Sequence, residues 1–570
     1  MHELTLLDLL PLRINGSANF KLVKTKFLIT ITLLSVVAHS FAQIPSWIFA
    51  KSTGGISNDY SNATCTDANG NVYITGTFQS STITFGTYTL YNSATGSLDI
   101  FVVKYDANGN VLWAVSAGGT SYDYGYGICT DANDNVCITG YFNSPSITFG
   151  AITLSNTYCA DVFVTKFDSS GNVLWAKSAH GTRSDYAFSI CSDANNNIYI
   201  TGMFDSSPII FGNDTVNNVD RFDIFIVKYD AGGNVIWAKG EGGIQSDAGL
   251  SISSDINANI YITGYFQSMA FFGNDTLIGN GNSNIFIAKY NSNGIKLWVK
   301  TPIVPGSSNN SAGTGVAVEA GGNVYITGYF QSSVAFGNDT LANAGSYGIF
   351  LAKYDSVGNA LWGKNPGGTN NDVGQAICID INGNVFITGY FASSFLNFGG
   401  NPVFNANIGY DDIFVASYDA SGNALWAKSV GDQDNDYGTS ICSAGNSVYV
   451  TGYFGSYSLD FGGIIITNAG SNDVFLAKLG SSTGIEENNS LEWEIFPNPI
   501  SNHFHIALST QIINGKIEIF SQLGEKVFSV PIKNEIKMEI NLKDIADGVY
   551  FLKVFDGEKN YCKKIIVKHD

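Results

Sequence analysis

A chain of 570 residues is too long for one ordinary compact core, and with 14% charged residues, 13% aromatics and 63 glycines it has a turn-rich, aromatic β composition rather than a helical or disordered one. Its formal net charge of −19 excludes the broad basic surface that phosphate neutralisation requires, so nucleic acid and anionic membrane surfaces are poor partners.

The first predicted element is an export signal. Lys21, Lys24 and Lys26 form a basic cluster, residues 27–38 a short apolar run, and Ser40-Phe41-Ala42 a small-x-small cleavage site. Residues 1–42 therefore read as a signal peptide with an N-terminal extension, and mature chain is expected from about Gln43. No transmembrane segment is expected elsewhere.

From 43 to 480 the sequence repeats. A T-G-[YFTM]-F block recurs at Thr75, Thr139, Thr201, Thr263, Thr327, Thr388 and Thr451, 61–64 residues apart, and each is followed by a Phe-Gly pair and then by a D-[IV]-F block in which Asn284 and Gly348 replace Asp in two copies. Each copy breaks into four apolar runs, a to d, bounded by Asp, Asn and Gly clusters such as 67–71 and 106–110. A four-stranded meander at this period predicts the blade of a β-propeller, seven in all. The last copy lacks strand d, and the chain begins with one: aligned on A-K-S-x-G-G, Phe49 takes the place of Trp113, Trp175, Trp237, Trp298, Trp362 and Trp426. The ring is expected to close through residues 47–52, which would bury an exposed sheet edge. Such a closed ring is expected to be monomeric.

Residues 481–490 read as a polar linker. Residues 491–570 carry about seven short period-two segments, which predicts a small immunoglobulin-like β-sandwich. The fold class is thus all-β, a seven-bladed propeller followed by a sandwich.

Few residues in the repeat region carry chemistry of their own. Cys65, Cys129, Cys191, Cys378 and Cys442 share one slot that also accepts Ser253 and Ala317, as a small buried position would. They are expected to be free thiols, with Cys137 and Cys159 the remaining candidates for a disulfide. The D-x-N-x-N turns match only the first half of a calcium loop, lacking its sixth-position Gly and twelfth-position Glu. They read as hairpin turns with no cofactor, weak calcium binding being the alternative. Asp59, Asp123, Asp185, Asp247, Asp372 and Asp436 open strand a in six copies, with Ser311 in the seventh. If strand a is innermost they would form a carboxylate ring at one channel mouth; otherwise each caps its own loop. Twelve of the fifteen Lys and Arg residues of 43–480 fall on two repeat slots, leaving Arg183, Arg221 and Lys296, and His180 is the one histidine of that region, so His180, Arg183 and Arg221 are the main symmetry-breaking polar groups. No nucleophile elbow, zinc-protease helix or phosphate loop is present.

The tail carries a family resemblance. Phe496-Pro497-Asn498-Pro499, Gly524, the Gly548 to Tyr550 start of a strand, and Lys563-Lys564 before the terminal run resemble the type A C-terminal sorting domain of type IX secretion in Bacteroidota. The resemblance implies signal-peptide export to the periplasm, engagement of the type IX machinery, and release or attachment at the outer surface. The repeats resemble the SBBP-type bacterial β-propeller, which implies architecture more than activity. The expected function is a secreted or cell-surface, non-catalytic module that binds a glycan or protein. Its variable b–c connections (91–97, 155–160, 217–222, 278–283, 342–348, 404–410 and 467–472) and the d–a loops share one face. The alternatives are a polysaccharide hydrolase or lyase working on that face, and a structural envelope component.

Overall fold

In a computed structural model, residues 45–570 are described except for 157–158, 281, 305–309, 481–492, 513–514, 522–525, 556–559 and 570. The signal-peptide and linker readings, with Gly524, lie outside the described residues. The described chain is all-β. No helix among the described residues is long and apolar enough to cross a membrane.

The repeats form seven antiparallel sheets of four strands in the order a-b-c-d. In the first, these strands are Asp59–Thr66, Val72–Phe78, Asp99–Tyr105 and Val111–Ala117. In the third, the outer strand Val235–Ile244 runs on to pair with Met269–Phe272 of the next repeat. The outer place in the seventh sheet is taken by Ser46–Thr53, which pairs antiparallel with Asp473–Gly480 and sets Ala50 opposite Ala477. Each strand a packs against strand a of the next sheet, and that of the first sheet packs against that of the last. The arrangement is propeller-like. Strands b and c are buried on both faces, as in Val72–Phe78 and Asp99–Tyr105, because a neighbouring sheet covers each side. Strand d is only partly covered, as in Val111–Ala117.

The Trp slot explains how adjacent sheets are joined. Trp113 Nε1 donates to Ser169 O at 3.1 Å, Trp175 Nε1 to Ala231 O at 3.1 Å and Trp237 Nε1 to Ser292 O at 3.2 Å, each on the c–d turn of the following sheet. The ring lies on a glycine of that turn: at Gly171, with φ of +87°, an added Cβ would stand 2.9 Å from Trp113. Phe49 occupies this slot at the seam, 2.8 Å from the Cβ that Gly109 lacks, and Lys478 Nζ supplies the hydrogen bond to Ala107 O at 2.8 Å.

The b–c connection differs from the expected loop. It is a two-stranded hairpin of its own, such as Thr82–Phe85 with Tyr88–Tyr91, turning at Gly86. The Phe of each Phe-Gly pair is anchored in the sheet core, as when Phe85 packs against Phe101 with centroids 5.1 Å apart.

In the C-terminal region a three-stranded sheet orders Trp493–Phe496, His503–Ile512 and Glu535–Asn541, and a four-stranded sheet orders Lys526–Ile532, Gly515–Ser521, Gly548–Phe555 and Asn560–Val567. Phe504, Ile506 and Ile540 of the first and Ile517, Ile519, Leu552 and Ile565 of the second share one core.

Candidate functional site

Strand a lines the centre of the repeat region. Three consecutive residues from each of the seven strands a surround one cavity of about 450 Å³. Every strand a is bulged at this point, as between Ser61 and Ala63 or Gly374 and Ala376. The extra residues are Asn62, Tyr126, Phe188, Leu250, Thr314, Gln375 and Thr439, all on the cavity wall. The wall therefore has an apolar arc of three neighbours and a polar arc of four. Tyr126 and Phe188 meet edge to face at 5.6 Å. Asn62 Nδ2 donates to Gly125 O at 2.9 Å, Thr314 Oγ1 to Gly374 O at 2.6 Å and Thr439 Oγ1 to Ser61 O at 2.7 Å, each reaching the next sheet.

A girdle of half-buried tyrosines surrounds the d–a and b–c end of this cavity. Strand a contributes Tyr60, Tyr124, Tyr186 and Tyr437, and strand b contributes Tyr141, Tyr265, Tyr329, Tyr390 and Tyr453. Edge-to-face contacts cross the sheet junctions: Tyr141 to Tyr186 at 4.6 Å, Tyr390 to Tyr437 at 4.8 Å and Tyr453 to Tyr60 at 4.7 Å. At the seam between the seventh and first sheets the girdle opens into a groove of about 530 Å³ lined by Tyr60, Tyr437, Tyr453, Asp434, Asn435 and Asn472. Asn472 fixes its floor: its Nδ2 donates to Asn58 Oδ1 at 2.8 Å and its carbonyl accepts from Asp59 N at 2.8 Å. Aromatic edges interleaved with amides and carboxylates suit a ligand rich in hydroxyl groups.

The six strand-a aspartates do not form a solvent-facing ring. Each is fully buried and caps the loops at its own end of the sheet. Asp59 Oδ1 accepts from Gln79 N and Ser80 N at 3.0 and 3.1 Å, and its Oδ2 from Ser80 Oγ and Gly55 N, both at 2.8 Å. Asp123, Asp185, Asp372 and Asp436 repeat the bond to a serine hydroxyl, and Asp247 uses Gln267 N and Gly243 N instead.

Five of these six carboxylates are paired; the exception is Asp372, because Gly348 stands at the strand-c position before it. The Asp that opens strand c faces the Asp that opens strand a of the next sheet: Asp99 with Asp123, Asp161 with Asp185, Asp223 with Asp247, Asp412 with Asp436, and Asp473 with Asp59. Gly243 N touches both members of one pair, at 3.1 Å from Asp223 Oδ1 and 2.8 Å from Asp247 Oδ2. Burial, and then the neighbouring carboxylate, pushes Asp161 up to about 7. Burial raises Asp185 and Asp436 to about 7 and Asp247 to about 8, against the partial relief of their hydrogen bonds. One oxygen each of Asp161, Asp412 and Asp473 is buried without a hydrogen-bond partner.

The remaining expectations have definite places. His180 is exposed, its backbone bridged to Ile210, and the Arg183 guanidinium pairs with Asp205 at 3.2 Å. Arg221 is exposed on the loop before strand c, where its carbonyl accepts from Asn218. None of the three borders the central cavity or the tyrosine groove. In the D-x-N-x-N turns the aspartate oxygens are taken by the turn: Asp67 accepts from Asn69 N, Asn71 N, Asn71 Nδ2 and the Tyr73 hydroxyl. The seven cysteines of the repeat region are free thiols, and Cys137 faces Cys129 across strands a and b while Cys159 is exposed. In the tail, Asn498 Oδ1 accepts from Ile566 N at 2.9 Å, tying the Phe496-Pro497-Asn498-Pro499 turn to the strand that carries Lys563 and Lys564. The Tyr550 hydroxyl donates to Ala546 O at 2.9 Å.

Residues 494–568 match the family model of the secretion system C-terminal sorting domain. This tail addresses the chain to type IX secretion, and so to the cell surface or beyond it. The chain is similar to an uncharacterized WD repeat-containing protein, L264, of Acanthamoeba polyphaga mimivirus, with 24% identity over 65% of this chain and 32% of that protein. It is also similar to the regulatory protein FlaEY of Caulobacter vibrioides, with 22% identity over 60% and 37% respectively. The chain thus spans about a third of the length of these curated relatives. Among solved structures, the WD40 β-propeller domain of Doa1 aligns with a TM-score of 0.38 and 8% identity, covering 76% of this chain and 97% of that one.

Proposed function

We propose that this protein is a secreted or cell-surface, non-catalytic glycan-binding module. In this reading the seven sheets are the blades of an SBBP-type seven-bladed β-propeller, and the tail is an immunoglobulin-like sorting sandwich of the Bacteroidota type IX system. Residues 1–42 are the signal that starts its export. The observation that carries the binding assignment is the tyrosine girdle with its groove of about 530 Å³ between Tyr60, Tyr437 and Tyr453. Ring edges there offer stacking to sugar faces, while Asp434, Asn435 and Asn472 offer hydrogen bonds to hydroxyls.

The test is a glycan array followed by calorimetry on the full chain. Tyr60→Ala and Tyr453→Ala are expected to weaken binding by at least about tenfold. Tyr91→Ala, on a hairpin with 70% of its surface exposed, is expected to leave it unchanged. Binding that survives both girdle substitutions removes the groove as the site. Release of reducing or unsaturated ends from a bound polysaccharide moves the protein to the hydrolase or lyase class, and neither binding nor turnover leaves an envelope structural role.

A further inference from the structure

Two of the six histidines of the chain stand two residues apart, His503 and His505, at the start of a strand in the sorting domain. Alternation along a strand puts both imidazoles on one face. That face is the outer one, because Phe504 and Ile506 between and beyond them are buried in the sandwich core. The neighbouring strand is registered so that Glu539 lies directly opposite His505, and Ile540 lies inward opposite Phe504. Folding therefore gathers two imidazoles and a carboxylate on the outside of the sheet, and one ligand atom from each lies within 4.8 Å of the other two.

The details favour a metal over a simple ion pair. His503 Nε2 stands 3.9 Å from Glu539 Oε1, with both side chains more than half exposed, and a pair at that distance in water contributes little. An ion pair also leaves His505 unused, although its ring is held on the opposite flank by Phe496, 5.4 Å away. The two imidazoles are nearly perpendicular, at 83°, with centroids 6.0 Å apart, so their nitrogens converge without the rings stacking. Two imidazoles and one carboxylate with an open fourth position form a three-ligand zinc donor set. Ligands of a tetrahedral zinc ion lie roughly 3.3–3.5 Å apart. The exposed His503 and Glu539 side chains cover the remaining difference by small rotations.

We propose that the outer face of the sorting domain binds one zinc ion through His503, His505 and Glu539. The ion clips the strand His503–Ile512 to its neighbour Glu535–Asn541. Phe496, the first residue of the Phe-Pro-Asn-Pro turn, flanks His505, and water or a carboxylate of another molecule completes the coordination. This inference rests on the sorting domain and is independent of the glycan reading.

The test is calorimetric titration of the chelator-stripped full chain with zinc chloride, with a non-thiol phosphine reductant present. The expected result is one high-affinity equivalent in the wild type, weakened by more than about tenfold in His505→Ala and in Glu539→Gln, and unchanged in His180→Ala and His569→Ala. A second measurement needs no variant: zinc should protect His503 and His505, but not His180, from carbethoxylation mapped by mass spectrometry. Loss of binding in the variants together with this protection supports the site. Absence of a zinc equivalent in the wild type, or zinc binding that survives His505→Ala with His503 and His505 still reactive, overturns it.

Discussion

The two ends of the repeat sheets bury the same residue type in opposite electrostatic states. At the end carrying the a–b turns, Asp131 is 5% exposed and meets the Asn135 amide, two turn N–H groups and Lys166 Nζ at 2.6 Å. Burial alone would raise it, but these donors hold it below the ordinary carboxylate range, as they do Asp67 beside Lys104. At the other end Asp161 is 2% exposed and faces Asp185 with no lysine near, so burial and like charge raise it to about 7. Burial does not decide the charge of an aspartate; the donors supplied around it do. One end of these sheets carries anionic caps satisfied by their turns, and the other carries paired carboxylates that burial raises, Asp161 to about 7 and Asp247 to about 8.

The largest effect is expected from removing the cation at the first end. Lys166→Met strands the Asp131 charge in a buried turn and is expected to cost about 3 kcal/mol in equilibrium urea unfolding. A change below a few tenths of that would mean the turn amides suffice alone. A pH series reads both ends at once. A carboxylate raised in the folded state stabilises fully below its unfolded value of 3.8, and that contribution is lost as pH rises through the folded values of about 6 to 8. The turn aspartates act in the opposite sense, contributing above their ordinary value and losing that contribution as pH falls below it. The melting temperature should therefore rise by on the order of 5 °C from pH 8 to pH 5.5 and fall again below about pH 4. A melting temperature that climbs steadily to pH 8 contradicts the paired-carboxylate account. The smallest effect sharpens the second end: Asp161→Asn supplies an amide to Asp185 without a charge. It should stabilise by about 1 kcal/mol at pH 8 and hardly at all at pH 5.5.

Much of this architecture could be read from the sequence because seven copies report the same facts. The Phe49 alignment located the strand that completes the last sheet, and Phe496 to Pro499 with Gly548 and Tyr550 located the sorting domain. What stayed hidden is whatever arises between copies. The pairing of Asp161 with Asp185 links two different slots in consecutive repeats, and a repeat alignment compares equal slots only. Its trace was present, since Asn284 and Ser311, which stand where the paired aspartates would, are both neutral. The bulge residues Asn62, Tyr126 and Leu250 occupy one of several variable positions of strand a, and only the bulge turns them toward a shared cavity. The strand-a aspartates were read as a possible collar because the sequence shows their position and not the Ser144 or Ser206 hydroxyl that covers them. The Phe-Gly pairs were recognised, while the hairpins they turn were not, because four residues per arm is too short for a pattern to stand out.

The seam at Ser46–Thr53 has a consequence for the order of events. Its partner Asp473–Gly480 lies more than about 400 residues later in the chain. A polypeptide delivered N-terminus first thus carries the closing strand without its pairing partner until the last sheet is made, with only the contact of Phe49 on the first sheet's Gly109 turn available earlier. Assembly finishes like a belt whose tongue is made first and whose buckle is made last. Any nascent chain cut short before Gly480 keeps its tongue unfastened, and completeness of the chain is thereby checked by the geometry of the ring.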